Sequence, residues 1–468
     1  MIKRENLYFI VYCLLIFSFI PKLLYGESAE VGKSGLLTNI FVEKTYDDNI
    51  FLRKQNKDKK SDRILNVIPS ILFTKKKNKL YLNLQYGAHL MYYDDYSQEN
   101  QYYQTGTWDI GISPGTKLKI GIRGTDTYSY VKVDERESLL SDNTNKQNDL
   151  SVNPYIEKEW GKRFKSLFSY TYSERAYSST KEEDEDLDGS KNQRGNADFY
   201  YKLSKRISIE GGYHYSFTNF ANETPDYSEQ EVGGGLALEL MRSKVKMSGR
   251  VGHVWKKDEL EQKDEYESID SKIDISLLKE TVITAGYTRS SSYLSTHDPN
   301  NDFSISHTAS LNIQHKVLHQ KITASYGLVY NFLDFQLPEK MDKSYTGNAR
   351  IDWKLSKPII LSLKGDWRRS EYTYQLEDRK DISSGGGADL TWQIFQPMTL
   401  LLRGNYTRSN YKPDNRQDEF YNGSYTLSYA ISRNTFLEIG QKYLQNKSDD
   451  DEEEYVNHKY NIGLRVTF

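Results

Sequence analysis

The chain has 468 residues, of which 63 are basic and 65 acidic, and a formal net charge of −2 argues against a general polyanion binder. Hydrophobic residues make up only 37%, yet there are 38 Tyr and 18 Phe, so much of the apolar material is aromatic with a polar tip. Such residues suit a structure that is greasy on one side and wet on the other, and their abundance argues against a disordered chain.

Residues 1–26 read as a secretory signal peptide. Lys3 and Arg4 precede the apolar stretch LYFIVYCLLIFSFI (7–20), followed by Pro21 and the small Gly26. Fourteen residues fall short of the roughly 20 that span a bilayer, so cleavage is expected rather than an uncleaved anchor. The one cysteine, Cys13, lies inside this segment, and Val11-Tyr12-Cys13 does not fit a lipoprotein site. The mature chain is therefore expected to lack disulfides, thiol chemistry and the ordinary structural zinc site. A short periplasmic segment (27–35) then leads into one barrel domain (36–468), with no room between signal and barrel for an N-terminal plug.

Beyond residue 26 no apolar run approaches the length of a membrane helix, so membrane residence would have to be as a β-barrel. The periodicity points that way. KLYLNLQYGAHLMYYDD (79–95) places Leu80, Leu82, Leu84, Tyr86, Ala88, Leu90 and Tyr92 on one face. RISIEGGYHYSF (206–217) and KVKMSGRVGHVW (244–255) alternate in the same way. A period of two over ten or more residues means strands, and strands of that length cross a membrane at a tilt.

The connections also alternate. YYKLSKRISIEGGY (200–213), DWKLSKPIILSLKGDW (352–367) and SYAISRNTFLEIGQKY (428–443) join two strands through a short Ser-Lys or Ser-Arg turn. RKQNKDKKSD (53–62), SSTKEEDEDLDGSKNQ (178–193), THDPNNDF (296–303) and SDDDEEE (448–454) are long and polar. Short turns at one end and long loops at the other are the plan of an outer-membrane barrel, with the turns periplasmic. Strands starting near residues 36, 63, 79, 101, 116, 148, 163, 193, 205, 228, 243, 265, 280, 303, 319, 343, 357, 380, 397, 417, 434 and 455 give twenty-two, with 18 to 22 admissible. The expected fold is an all-β, antiparallel, up-and-down transmembrane barrel. A multidomain β-sandwich would need linkers, and a β-helix would not alternate its loop lengths. Pro69 and Pro154 fall within expected strands, which suggests strand ends or bulges. The glycines of EVGGGLALEL (231–240) and SSGGGADL (383–390) suggest bends or close approach of chain.

FVEKTYDDNIFLRKQNKDKKSDRILNVIPSILF (41–73) contains Tyr46, Asp47, Asp48, Asn49 and Ile50, then Ser61 and Asp62, then Pro69. This stretch resembles the opening of the β-barrel porin-2 group of Gram-negative outer-membrane proteins, and the likeness extends over roughly 41–130. The resemblance implies an association with extracellular or capsular polysaccharide production. For the residues themselves, the simplest reading of Asp47-Asp48-Asn49 is a chain reversal at the rim.

No catalytic pattern stands out: there is no Gly-x-Ser-x-Gly, His-Glu-x-x-His, phosphate loop or calcium loop. His214 and Ser216 share a face, as such pairs often do by chance. The chain is read as a non-enzyme without cofactor or metal. With the polar face turned inward, the lumen would be lined by Lys119, Arg123, Asp198, Lys246, Arg250, Asp274, Arg350, Asp352, Lys364, Asp366, Arg368, Arg403, Lys459 and Arg465. Both signs occur, which argues against strong selectivity for small ions of one charge. A lumen this wide and unplugged calls for closure by inward-folded loops or a periplasmic partner.

The chain ends VNHKYNIGLRVTF, with Tyr460, Ile462, Leu464, Val466 and Phe468 on one face. A terminal aromatic on such a strand resembles the signal read by the barrel assembly machinery, and the strand must pair with the first, near TNIFVEKTY, to leave no edge. The expected location is the outer membrane of a Gram-negative bacterium. Expected partners are outer-membrane lipid and lipopolysaccharide, the assembly machinery, and a polysaccharide-export component of the periplasm; the acidic loops Glu182–Asp186 and Asp449–Glu454 read first as solvated tips, with divalent-cation bridging to lipopolysaccharide as the sharper alternative. Nucleic acid is not expected, and the barrel is expected to be monomeric. Export of a surface polysaccharide, a general porin for small solutes, and a structural or adhesive surface barrel are the three functions that fit, with export favoured through the resemblance.

Overall fold

The computed structural model describes residues 35–468, apart from 53–58, 78, 133–143, 179–188, 222–225, 242–243, 260–262, 279, 294–302, 319–320, 336–339, 374–378, 413–414 and 451–453. The expected signal peptide, most of the segment after it and the acidic run 182–186 lie outside the described residues. The first eleven strands are β1 (Gly35–Asp47), β2 (Asp62–Lys77), β3 (Leu80–Tyr93), β4 (Gln101–Gly115), β5 (Leu118–Lys132), β6 (Thr144–Trp160), β7 (Phe164–Ser178), β8 (Ser190–Lys202), β9 (Ile207–Phe220), β10 (Tyr227–Leu240) and β11 (Val245–Asp258). The second eleven are β12 (Lys263–Leu278), β13 (Thr281–Tyr293), β14 (Phe303–Val317), β15 (Ile322–Phe335), β16 (Lys340–Ser356), β17 (Ile359–Tyr372), β18 (Arg379–Phe395), β19 (Met398–Lys412), β20 (Arg416–Ala430), β21 (Thr435–Ser448) and β22 (Tyr455–Thr467). A single 3₁₀ turn, Ser97–Glu99, follows β3.

Each strand pairs antiparallel with its chain neighbours, and β1 pairs with β22 from Asn39↔Thr467 to Asp47↔Lys459, so the sheet closes. Closure matters because it leaves no open strand edge in the lipid zone, where an unpaired backbone N–H or C=O is costly. Beyond the last β22 residue, Phe468 N–H donates to Thr38 C=O at 2.8 Å, extending the seam to the final residue.

The alternation sorts the two faces. Leu84, Tyr86, Ile110, Ile112, Ile120, Ile122, Ile156 and Phe168 are all exposed and lie along one face, where register pairs Ile110 with Ile122, Ile120 with Ile156, and Ile156 with Phe168. Exposed apolar side chains in continuous rows around a closed sheet form a lipid-facing belt. The opposite face carries the polar residues and is the lumen.

The turns that begin at residues 78, 116, 161, 203, 241, 279, 318, 357, 396 and 431 are short, and both ends of the sheet lie at this end of the barrel. Positive φ at Gly161 (87°), Met241 (50°) and Leu318 (52°) reverses the chain in three of them. The other end holds the longer connections, although those after β11, β15 and β19 are as short as turns.

Pro69 and Pro154 sit inside β2 and β6, away from both strand ends and from any bulge. The β2–β3 ladder skips residues 68 and 69, and the β6–β7 ladder skips 153 and 154, with register unchanged on either side. Proline removes one donor without shifting the strand. At Pro154 the loss is made good locally: Asn153 Nδ2 donates to Tyr170 O at 3.2 Å, the carbonyl that the missing N–H would have met.

Candidate functional site

The inner wall is the surface on which any solute path would lie. All fourteen residues expected in the lumen stand on the face opposite the apolar belt. Most are paired. Lys119 meets Glu157 at 3.1 Å, and Arg123 lies 3.8 Å from Asp109 and over the Tyr155 ring. Lys246 faces Glu239, Arg350 bonds Asp352 at 2.9 Å, Lys364 faces Asp389, and Arg465 bonds Glu438 at 2.9 Å. Asp274 takes Lys272 at 3.0 Å and Thr284 Oγ1 at 2.6 Å. Arg368 Nε donates to Ser370 Oγ at 3.2 Å, and among the described residues Asp366, Arg368 and Arg403 make no ion pair. Pairs two residues apart on one strand and pairs across the ladder both occur, so the wall carries mixed charge.

One group draws together residues that sequence reasoning treated separately or missed. His214 on β9 places Nε2 3.0 Å from Asp198 Oδ1 on β8 and Nδ1 3.0 Å from Glu231 Oε2 on β10. Arg250 on β11 approaches the same two carboxylates at 3.4 and 3.9 Å, and Ser268 on β12 donates to Glu231 at 2.8 Å. His214 is thus held by two carboxylates, and no bond joins it to Ser216. These side chains can lie flat because the wall beneath them has no Cβ. A Cβ on Gly212 would stand 2.5 Å from Asp198 Oδ1, and one on Gly252 2.5 Å from Glu231 Oε1. One on Gly235 would stand 2.7 Å from Glu210 Oε1. The close approach expected of EVGGGLALEL is present, to side chains and to backbone alike: a Cβ on Gly235 would also stand 2.7 Å from Gly249 O, and the register with β9 and β11 runs unbroken through the glycines. In the second glycine run, Gly387 would meet Asn405 in the same way. The signal in the sequence was the recurrence of glycine at inward positions of adjacent strands beside an inward charge.

The second functional feature is the mouth at β1–β3. Asp47, fully buried, accepts from Asn49 N at 3.0 Å and Asn457 Nδ2 at 2.8 Å and pairs with Lys459 Nζ at 2.6 Å. Asn457 Nδ2 also donates to Asn49 O, Asn49 Nδ2 to Val456 O, and His458 N to Asp48 Oδ1. Asp62, buried and inward, accepts from Arg63 N, Asp95 N and Tyr96 N. Ile50 and Phe51 after β1 and Tyr96 after β3 pack on Ile64, Met91 and Tyr93, which belong to the inner face. Tyr46 stacks on Tyr460 outside, Ser61 is exposed, and Pro69 faces lipid opposite Ile40. Asp47-Asp48-Asn49 therefore does more than reverse the chain: it fastens the closing seam, while Asp62 holds the start of the connection after β3, and Ile50, Phe51 and Tyr96 pack on the inner face.

Tyr460, Ile462, Leu464 and Phe468 are exposed on the lipid face, and Val466 shares that face.

The family model described as Putative beta-barrel porin 2 matches residues 381–468. The match covers β18 to β22, at the opposite end of the chain from the 41–73 stretch on which the resemblance was read. No curated protein matches the sequence. Among solved structures, the chain is similar to the FrpB iron transporter of Neisseria meningitidis in its apoprotein form. The TM-score is 0.69 at 8% identity, covering 94% of this chain and 82% of that one. It is similar to the siderophore receptor PirA of Pseudomonas aeruginosa, with TM-score 0.60 at 11% identity over 94% and 81%. A mutant ferric enterobactin receptor of the same organism, bound to enterobactin, gives 0.65 at 9% over 94% and 82%. These likenesses are of fold. The chain is a porin-like barrel of the Gram-negative outer membrane.

Proposed function

We propose that this barrel is a channel through which a hydrophilic polymer, an extracellular or capsular polysaccharide, crosses the outer membrane. The observation that supports this reading is the inner wall. Its charges are mostly paired with one another, so the wall stays wet without strongly attracting ions of one sign. A hydroxylated chain can exchange hydrogen bonds along such a wall. The inward-turned mouth at β1–β3 narrows one side of a lumen that would otherwise be wide, and a periplasmic export component would close the rest. A general porin differs in its load and not in its wall. The named cargoes of the structural neighbours do not transfer at 8–11% identity.

Deleting the gene tests the proposal. Loss of surface polymer with unchanged uptake of small solutes is the expected result. Unchanged polymer with lost solute uptake would establish the porin reading instead. In planar bilayers the lone protein should give small or intermittent currents, and large stable currents would remove the closure by loops and partner. The outward row Tyr460, Ile462, Leu464, Val466 and Phe468 would serve as the assembly signal, and outer-leaflet lipopolysaccharide would surround a monomeric barrel.

A further inference from the structure

The charge group on β8–β11 forms the floor of a recess in the lumen wall of about 500 Å³, within the ordinary range of small-molecule sites. Its sides are Thr171 and Ser173 on β7 and Asn192, Arg194, Asn196 and Tyr200 on β8, with Asp198, His214 and Arg250 below. We propose that this recess binds a hydroxyl-rich solute unit carrying one anionic group, with Arg194 as the partner of the anion.

The assignment follows from which groups are already engaged. Asp198 is held by His214 and Arg250, and Glu231 by His214, Ser268 and Arg250. Arg194 lies in the half of β8 nearer the long loops and is exposed to the lumen. Its Nε donates to Asn196 Oδ1 at 2.9 Å, and one terminal nitrogen lies 3.3 Å from His214 Nδ1. Among the described residues it makes no ion pair. A guanidinium with spare donors in a fixed fork matches a carboxylate or a phosphate. The rest of the rim suits hydroxyls. Thr171 Oγ1 already accepts from Asn153 Nδ2 at 2.7 Å, which leaves its hydrogen to donate. Asn192 and Asn196 each give one amide donor to a wall hydroxyl and keep further capacity. Asp198 at the floor repels an anion there, which orients the ligand with its charge toward Arg194 and its hydroxyls toward the floor. The glycine floor at Gly212 is what gives the recess depth, since a Cβ there would displace Asp198.

The proposal deepens the channel reading and rests on it for access to the lumen. The test uses the purified barrel in lipid nanodiscs, with glucuronate, glucose 6-phosphate and glucose as probes, by saturation-transfer NMR and calorimetry at low salt. The expected result is binding of at least one anionic probe about tenfold tighter than glucose. Added NaCl should erode that preference, Arg194→Gln should abolish it and Arg194→Lys, which keeps the charge and loses the fork, should keep only part of it. Preference for one anion alone assigns the group as carboxylate or phosphate. Ser173→Trp, which fills the recess, should remove binding of all three probes. Equal affinity for glucose, an unchanged preference in Arg194→Gln, or unchanged binding in Ser173→Trp would overturn the proposal. Heat-modifiable electrophoretic mobility reports whether each variant is a folded barrel. A barrel that binds the anions yet never conducts or supports export would sink the channel reading and leave the site standing.

Discussion

At the scale of single residues, the seam depends on a few buried polar groups whose partners are far away in the chain. Asn457 is fully buried, and its amide nitrogen serves Asp47 and Asn49 O at once. Asn457→Ala leaves a buried carboxylate and a carbonyl each short of a donor, at a cost of about 2 kcal/mol. The barrel should unfold at lower urea concentration, with its secondary structure otherwise unchanged by circular dichroism. Glycines make the opposite kind of demand. Trp108 lies across Gly124 on the lipid face, where a Cβ would stand 2.1 Å from the indole Cζ2. Gly124→Ala should lift the indole off the wall. Trp108 is one of 6 tryptophans, so the change in fluorescence maximum is best read in a variant whose other five are phenylalanine.

At the scale of elements, β6 shows how a strand accommodates proline by borrowing a side chain. Asn153→Leu removes the amide that serves Tyr170 O and should cost about 1 kcal/mol in unfolding free energy. Pro154→Ala restores a backbone donor at that place, so the double variant should regain most of the loss. A double variant no more stable than Asn153→Leu would show that the carbonyl was never in need. The strands themselves were legible from the start: every expected start lies within four residues of the observed one, because alternation over ten residues is a local property. The proline placement was not legible, because the compensating amide is on the neighbouring residue and its acceptor is on the next strand.

For the whole molecule, the belt and the lumen make opposite demands on the same strand. Ile122 is exposed on the lipid face, while Thr125 is exposed on the lumen face three residues on. Ile122→Arg should cost about 2–4 kcal/mol, and Thr125→Arg should cost little. Folding titrations into lipid vesicles read both, and equal costs would contradict the assignment of faces. The fourteen inward residues were legible one at a time, since parity on a strand decides the face. The site they help to build was not. Asp198, His214, Glu231 and Arg250 come from four successive strands, and a shift of one residue between any two would turn one of them to the lipid. The amino-acid sequence alone determined the strands, their faces, the two classes of connection and a polar interior, because each follows from spacing within some fifteen residues. Only the tertiary structure decided which charges meet over the glycine floor and how Asp47 finds Asn457, 410 positions away. Register between strands and closure of the ring set those distances, and both are properties of the sheet as a whole.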